Sequence, residues 1–206
     1  MHNFELGMRL AVTTAIILAG GFGTRLRIAV PDLPKPMAPI GSRPFLEYQL
    51  DYWITQGVNH FILSVGYRYE VIVDHFGNNY RGAELNYVIE KTPLGTGGGL
   101  LLAAEEIGND APFLLLNGDT YFAADLKSLT KVSQENGADW CFSLFRTNEE
   151  GRYMGMDVSP QGQITSLKSG IGDPGRLANG GVYWVHPDAL RSSRFASGDK
   201  VSLEDD

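Results

Sequence analysis

Leu18-Ala19-Gly20-Gly21-Phe22-Gly23-Thr24-Arg25-Leu26, closed by Pro34-Lys35-Pro36-Met37, is the stretch on which the reading of this chain turns. It follows the apolar run Ala15 to Leu18, which reads as a buried parallel strand, so the glycines begin where the chain leaves the carboxyl end of a sheet. Ligands bind there in open α/β sheets. Gly20, Gly21 and Gly23 leave backbone N–H groups unshielded by Cβ atoms, which suits close approach of a polyanion such as a triphosphate. Arg25 and Lys35 add positive charge, and prolines at positions 31, 34, 36 and 39 make the loop around Lys35 stiff. Two familiar phosphate motifs fail. A dinucleotide fingerprint started at Gly21 meets Leu26 where its last glycine belongs, one started at Gly95 meets Leu100, and no Gly-Lys-Ser/Thr tripeptide occurs.

The rest of the composition bounds the setting. At 206 residues, 43% hydrophobic and 20% charged, the chain suits one domain with one good core. A net charge of -7 argues against a nucleic-acid partner, which would demand a basic face, so an anionic small substrate must be held by a local cluster of positive groups. The single cysteine, Cys141, excludes an internal disulfide and a multi-cysteine metal site and fits a cytoplasmic location. It sits in Trp140-Cys141-Phe142 as a small buried residue on a strand. The first apolar stretch is broken by Thr13 and Thr14, so neither a signal peptide nor a membrane span is expected, and Met1 to Gly7 read as a leader or an added extension. His2, His60, His75 and His186 lack ligand spacing, and His60 and His75 read as ordinary residues at element boundaries.

Strand and helix alternate through the first half. The expected order is a helix over Pro44 to Gln56, a strand over His60 to Val65, a helix from Tyr69 stopping at Gly77 and a strand over Leu85 to Ile89. A helix over Leu100 to Ile107 and a strand over Phe113 to Leu116 follow, the latter delivering Asn117-Gly118-Asp119 at its end. Such alternation implies right-handed crossovers and a doubly wound sheet. From Ala138 the texture changes: Ala138 to Phe145, Met154 to Val158, Ile164 to Leu167 and Gly181 to Val185 read as strands between turns, with a short helix near Pro187 to Arg191. Residues 8–137 are thus a nucleotide-binding half and residues 138–206 a second half completing a mixed sheet, within one domain.

Gly-Gly-Phe-Gly-Thr-Arg-Leu followed by Pro-Lys-Pro-Met resembles the signature of sugar-1-phosphate nucleotidyltransferases. Glu90-Lys91-Thr92-Pro93-Leu94-Gly95-Thr96-Gly97-Gly98, Asn117-Gly118-Asp119 and Asn179-Gly180-Gly181-Val182-Tyr183 extend the resemblance in order along most of the chain. Within the family the sequence is most similar to short bacterial guanylyltransferases acting on D-glycero-D-manno-heptose 1-phosphate or mannose 1-phosphate. The resemblance implies a Rossmann-like nucleotide-diphospho-sugar transferase fold, an α/β class with a mixed, mainly parallel sheet flanked by helices. It also implies a reaction: a sugar-1-phosphate oxygen attacks the α-phosphorus of a nucleoside triphosphate, GTP being favoured, and pyrophosphate leaves. Both reactants are anions, so positioning and charge neutralisation should dominate catalysis.

The residue roles follow from that resemblance. Arg25, Lys35 and Asp119 are the expected catalytic residues, with Asp119 holding Mg²⁺ as a hard oxygen ligand at a strand end. Asp119 could instead cap the next helix, but Asp125 lies nearer that helical pattern. Leu18, Gly20, Gly21, Gly23, Thr24 and Arg25 would bind nucleotide, together with Glu90, Gly95, Thr96, Asn117 and Gly118. The Glu90 carboxylate accepts hydrogen bonds and donates none, matching the N1–H and amino donors of guanine. Alternatively Glu90 pairs with Lys91 or Arg81 at the surface. Gly95, Gly97 and Gly98 would let the backbone approach base and ribose.

Tyr153, Gly155, Lys168, Asn179, Gly180 and Glu204 are the sugar-phosphate candidates. The chain departs from the family by carrying Arg152-Tyr153-Met154 where relatives carry Arg-Tyr-Gly, and Ser169-Gly170 where they carry Glu-Lys. The family's second metal aspartate, in an Asp-x-Gly context, is not found up to Asp206; either it lies in a further C-terminal segment, the favoured reading, or the site has one carboxylate ligand fewer. A catalytically silent nucleotide-sugar-binding homologue therefore stays open as an alternative. A glycosyltransferase ranks below both, because Asn117-Gly118-Asp119 lacks the first carboxylate of Asp-x-Asp. Oligomeric state is not fixed, and apolar exposure in the second half is what would support a homodimer.

Overall fold

The computed structural model describes residues 13–21, 32–107, 111–148, 155–168, 175–191 and 193–203. The first half is built on four parallel strands. β1 (Thr14–Ala19) pairs in parallel with β4 (His60–Val65) on one side and with β7 (Phe113–Asn117) on the other, and β4 pairs in parallel with β6 (Ala83–Ile89). Helices α1 (Phe45–Thr55), α2 (Tyr69–Phe76) and α3 (Gly95–Ala104) supply crossovers, as the alternation requires. Two short pieces fall outside the sequence reading: the hairpin β2 (Pro39–Ile40) and β3 (Arg43–Pro44), and the two-residue strand β5 (Asn79–Tyr80), which pairs antiparallel with the start of β6.

Both faces of these strands are covered, which is why they read as continuous apolar runs. Ile17, Phe61, Leu63, Leu114 and Leu116 pack under α1, α2 and the helix α4 (Leu126–Asn136), while Ile16, Ile62, Phe113 and Leu115 meet α3 on the opposite face. Cys141 lies in the first of these clusters, and burial pushes its thiol up. His60 heads β4 beside the Thr14 hydroxyl, and the His75 ring contacts Glu47 Oε1 at 2.7 Å.

The second half joins the sheet in the opposite sense. β8 (Trp140–Arg146), β9 (Gly155–Val158), β10 (Ile164–Lys168) and β11 (Leu177–Val185) give the order β10-β9-β11-β7-β1-β4-β6-β5, with β8 also on β11. β11 pairs with β8 along one edge. Its other edge is split, Leu177 and Ala178 meeting β9 and Val182 to Val185 meeting β7, all antiparallel. The mixed, mainly parallel-cored sheet is thus as expected. The helix α5 (Pro187–Arg191) follows. Among the described residues no helix is long and apolar enough to cross a membrane.

Two boundaries are corrected. α3 starts at Gly95, not Leu100, and β11 starts at Leu177, not Gly181. In both cases glycines that look like turn residues are held in a regular element by neighbouring backbone. The Gly97 and Gly98 amides donate to the Val201 carbonyl at 3.0 and 3.2 Å, and a Cβ on Gly98 would stand 2.3 Å from the Asp199 carbonyl. The glycines of α3 therefore admit the 199–203 segment of the chain itself, a close approach of backbone that the sequence reading did not foresee beside the base and ribose role expected for Gly95, Gly97 and Gly98.

Candidate functional site

The carboxyl ends of β1, β4, β6 and β7 are adjacent, and each ends in a residue the site uses. Gly20 follows β1, Gly66 follows β4, Glu90 follows β6, and Asn117 closes β7. A Cβ on Gly20 would lie 2.0 Å from Glu90 Oε1, so only glycine lets the β6 carboxylate settle against the first turn. Gly118 is closed in by backbone instead: its amide donates to the Leu18 carbonyl at 2.9 Å, and a Cβ there would sit 2.5 Å from that oxygen.

Between these ends lies a cleft of about 360 Å³, within the usual range for small-molecule sites. Leu18, Gly20 and Gly21 line it together with Glu90, Gly95, Thr96, Asn117, Gly118 and Asp119. Glu90 and Gly20 also border a smaller hollow of about 200 Å³ that extends toward Gly66 and Tyr67, residues the sequence reading did not single out. The Glu90 carboxylate is held by the buried Ser64 hydroxyl, which donates to Oε1 at 2.8 Å, and by the Leu94 amide, which donates to Oε2 at 3.3 Å. Each carboxylate oxygen keeps a further lone pair for an incoming donor. Arg81, offered above as a surface partner of Glu90, instead lies 3.1 Å from Asp51.

At the mouth, Lys35 in a 3-10 turn (Lys35–Met37) forms an ion pair with Asp119 across 84 residues of sequence. Both side chains are roughly two-fifths exposed, at 40% and 45%, so the pair is accessible from solvent. The Thr120 hydroxyl donates to Asp119 Oδ1 at 3.2 Å. Asp125, not Asp119, caps α4, accepting from the Ser128 amide at 2.8 Å. Among the described residues no group of three or more His, Cys, Asp and Glu gathers. Among the described residues that line the cleft mouth, Asp119 is a hard oxygen donor of the kind a divalent cation takes.

The second half adjoins the β7 end of the cleft through a bulge. The pairing of β11 with β8 shifts between Asn179 and Tyr183, and at Gly181, with φ +70°, an added Cβ would stand 3.0 Å from Asn117 Nδ2. The Asn179 carboxamide is committed inside this bulge, donating to the Tyr183 hydroxyl at 2.6 Å and accepting from the Gly181 amide at 2.9 Å. Backbone pairing sets Lys168 opposite Gly155, and Gly155 opposite Ala178, so two of the sugar-phosphate candidates are paired across β10 and β9, in register with the residue before Asn179 on β11. Gly23, Thr24, Arg25, Tyr153 and Glu204 lie outside the described residues, as does the side chain of Lys168.

A mixed sheet with a cleft over its parallel strand ends, and an ammonium and a carboxylate at the mouth, is the architecture of nucleotide-diphospho-sugar transferases. HddC from Yersinia pseudotuberculosis, complexed with GMP-PN, superposes with a TM-score of 0.82 at 32% identity, over 95% of this chain and 84% of that one. A family profile described as "Nucleotidyl transferase" matches residues 14–194, and the chain belongs to that family. The D-glycero-alpha-D-manno-heptose 1-phosphate guanylyltransferase of Campylobacter jejuni is 40% identical over 191 residues, covering 93% of this chain and 83% of that enzyme. The mannose-1-phosphate guanylyltransferase of Mycobacterium tuberculosis is 32% identical over 192 residues, covering 92% of this chain and 53% of that enzyme.

Proposed function

We propose that the chain transfers a guanylyl group from GTP to a heptose-type sugar 1-phosphate, forming a GDP-sugar and pyrophosphate. The observation that carries this is a carboxylate, Glu90, fixed in the lining of the cleft with a lone pair left on each oxygen, in the same cleft as Asp119 and its ammonium partner Lys35. The similarity to the Campylobacter enzyme supports the sugar.

In this reading guanine donates its N1–H and amino group to Glu90, and the phosphates run along the turn after β1, where Gly23, Thr24 and Arg25 are proposed to join them. Lys35 exchanges its partner Asp119 for a phosphate oxygen and neutralises charge at the α-phosphorus. Asp119, so released, is the ligand for Mg²⁺. Held by Asp119, such an ion would supply positive charge against the phosphates. Gly155, Lys168, Asn179 and Gly180, with Tyr153 and Glu204, are proposed to hold the sugar phosphate so that its oxygen lies in line with the leaving group.

Mixing the protein with Mg²⁺, GTP and D-glycero-D-manno-heptose 1-phosphate or mannose 1-phosphate should release pyrophosphate, the heptose being faster. No release from any pairing of a nucleoside triphosphate with these sugars would end the proposal, and binding of a GDP-sugar without turnover would select the silent homologue. Glu90→Gln, which replaces one acceptor by a donor, should lower the GTP-over-UTP ratio of kcat/KM about tenfold, the value of one mismatched polar contact. An unchanged ratio would remove the base-reading role.

A further inference from the structure

The buried face of α1 carries one polar side chain among Leu46, Leu50 and Trp53: Gln49, which is 2% exposed. Both protons of its amide nitrogen are used, donating to the Asn117 carbonyl at 2.8 Å and to the Thr120 carbonyl at 3.0 Å. Those two carbonyls are the first and last of the turn Asn117-Gly118-Asp119-Thr120, which the Thr120 amide closes onto the Asn117 carbonyl at 3.4 Å. Gln49 Oε1 is buried with no hydrogen-bond partner among the described residues, and so is Asn117 Oδ1. An amide left with an orphaned acceptor in an apolar layer is a net liability, and its two donors are what it contributes there.

The same helix face continues the brace. The Tyr52 hydroxyl donates to the Ala124 carbonyl at 3.0 Å, and Gln56 Oε1 accepts from the Leu126 amide at 3.3 Å. Positions 49, 52 and 56 follow helical spacing, so α1 lays a line of polar contacts along the whole connection from β7 to α4. Only the Gln49 contacts straddle Asp119. They hold the flanking carbonyls toward α1, while Asn117, Gly118 and Asp119 line the cleft.

We infer that Gln49 is a positioning residue: its carboxamide clamps both ends of the turn and holds the Asp119 carboxylate where a nucleotide-bound cation needs it. The inference rests on the metal role proposed for Asp119.

Calorimetry of GTP binding, with Mg²⁺ and with EDTA, gives the factor by which the ion tightens nucleotide binding. Gln49→Met keeps the volume and removes the donors. It should cut that factor about tenfold, as expected for a residue supporting a metal ligand, while metal-free binding and the circular dichroism spectrum are retained. Tyr52→Phe removes only the bond beyond the turn and should leave the factor unchanged. Asp119→Asn should abolish the factor, and adding Gln49→Met to it should cost nothing more. If Asp119→Asn abolishes the factor and Gln49→Met leaves it intact, or if Tyr52→Phe lowers it equally, the positioning role fails by itself. If Asp119→Asn leaves it intact, the metal assignment fails and takes the inference with it. Should Gln49→Met not fold, the side-chain amide resonances of Gln49 in the unaltered protein decide: they should shift when Mg²⁺ is added to the GTP complex, and a constant position would overturn the role.

Discussion

The two halves of the sheet bring residues to the cleft by different means. In the parallel half every strand runs the same way, so right-handed crossovers put the carboxyl ends of β1, β4, β6 and β7 along one edge, and Gly20, Gly66, Glu90 and Asn117 meet there through topology alone. In the antiparallel half the ends of β8, β9, β10 and β11 alternate. There the approach to the cleft comes from the middle of a strand, where the Asn179 to Gly181 bulge lets β11 leave β9 and take up β7. The lesson is that an edge of parallel strand ends positions phosphate and base ligands with little further design. A sugar pocket on antiparallel strands needs a local irregularity that re-aims the chain.

If that division holds, charge removal in each half should damage a different kinetic constant. Lys35→Met, in the parallel half, should lower kcat by about 10²–10³-fold, the usual effect of removing one group that stabilises transition-state charge, with little change in thermal midpoint because the side chain is exposed. Lys168→Met, in the antiparallel half, should instead raise KM for the sugar 1-phosphate and spare KM for GTP. Equal losses in kcat from both would mean that the two halves do not divide the substrates.

The halves also differ in how far the sequence discloses them. The parallel strands are apolar runs ended by glycine, and Phe61 to Val65 or Phe113 to Leu116 announce themselves because both of their faces are buried. Where local preference and tertiary contact conflict, the reading fails. Gly95 to Gly99 have poor helical propensity, yet they form the first half of α3 because the 199–203 segment packs against them and accepts their amides at Val201. Asn179-Gly180-Gly181 carries the composition of a turn and is instead a bulge, a distinction that only the pairing of β11 with β7 and β8 makes. Gln49 was available in principle: its spacing from Leu46, Leu50 and Trp53 places it on the buried face of an amphipathic helix, and a polar residue there asks for a buried partner. The sequence singled out Glu90, and it lines the cleft, but its fixing by Ser64 was not legible, since 26 residues separate them.

A pair of glycine substitutions tests the same contrast through stability. Gly118→Ala drives a methyl into the Leu18 carbonyl and Ala19 Cα, backbone of a central strand that cannot yield, so it should cost about 1–3 kcal/mol and disturb the Asp119 turn. Gly155→Ala meets only the Arg176 guanidinium at 3.5 Å, an ordinary contact with a flexible side chain, and should be nearly neutral. Urea midpoints of the two variants would show it. A large loss for Gly155→Ala would mean that β9 is packed as tightly as the parallel core.

The smallest effect concerns α4, which follows the parallel half in sequence but packs on β8 and β11. The Ser128 hydroxyl and amide donate to the Asp125 carboxylate at 2.6 and 2.8 Å, and these bonds hold its pKa below the ordinary value. A carboxyl with a depressed folded pKa stabilises the fold fully above its unfolded value of about 3.9, and that contribution is lost as pH falls through the folded value. Asp125→Ala should therefore lower the thermal midpoint at neutral pH, and the gap from the unaltered protein should close as pH drops below about 4. Asp125→Asn should keep the midpoint at neutral pH, because an asparagine side chain caps a helix as well as an aspartate does, and its advantage over Asp125→Ala should persist in acid where that of the carboxylate fades. A gap for Asp125→Ala that stays constant across this range would assign the loss to packing at the end of α4 and not to the charged cap.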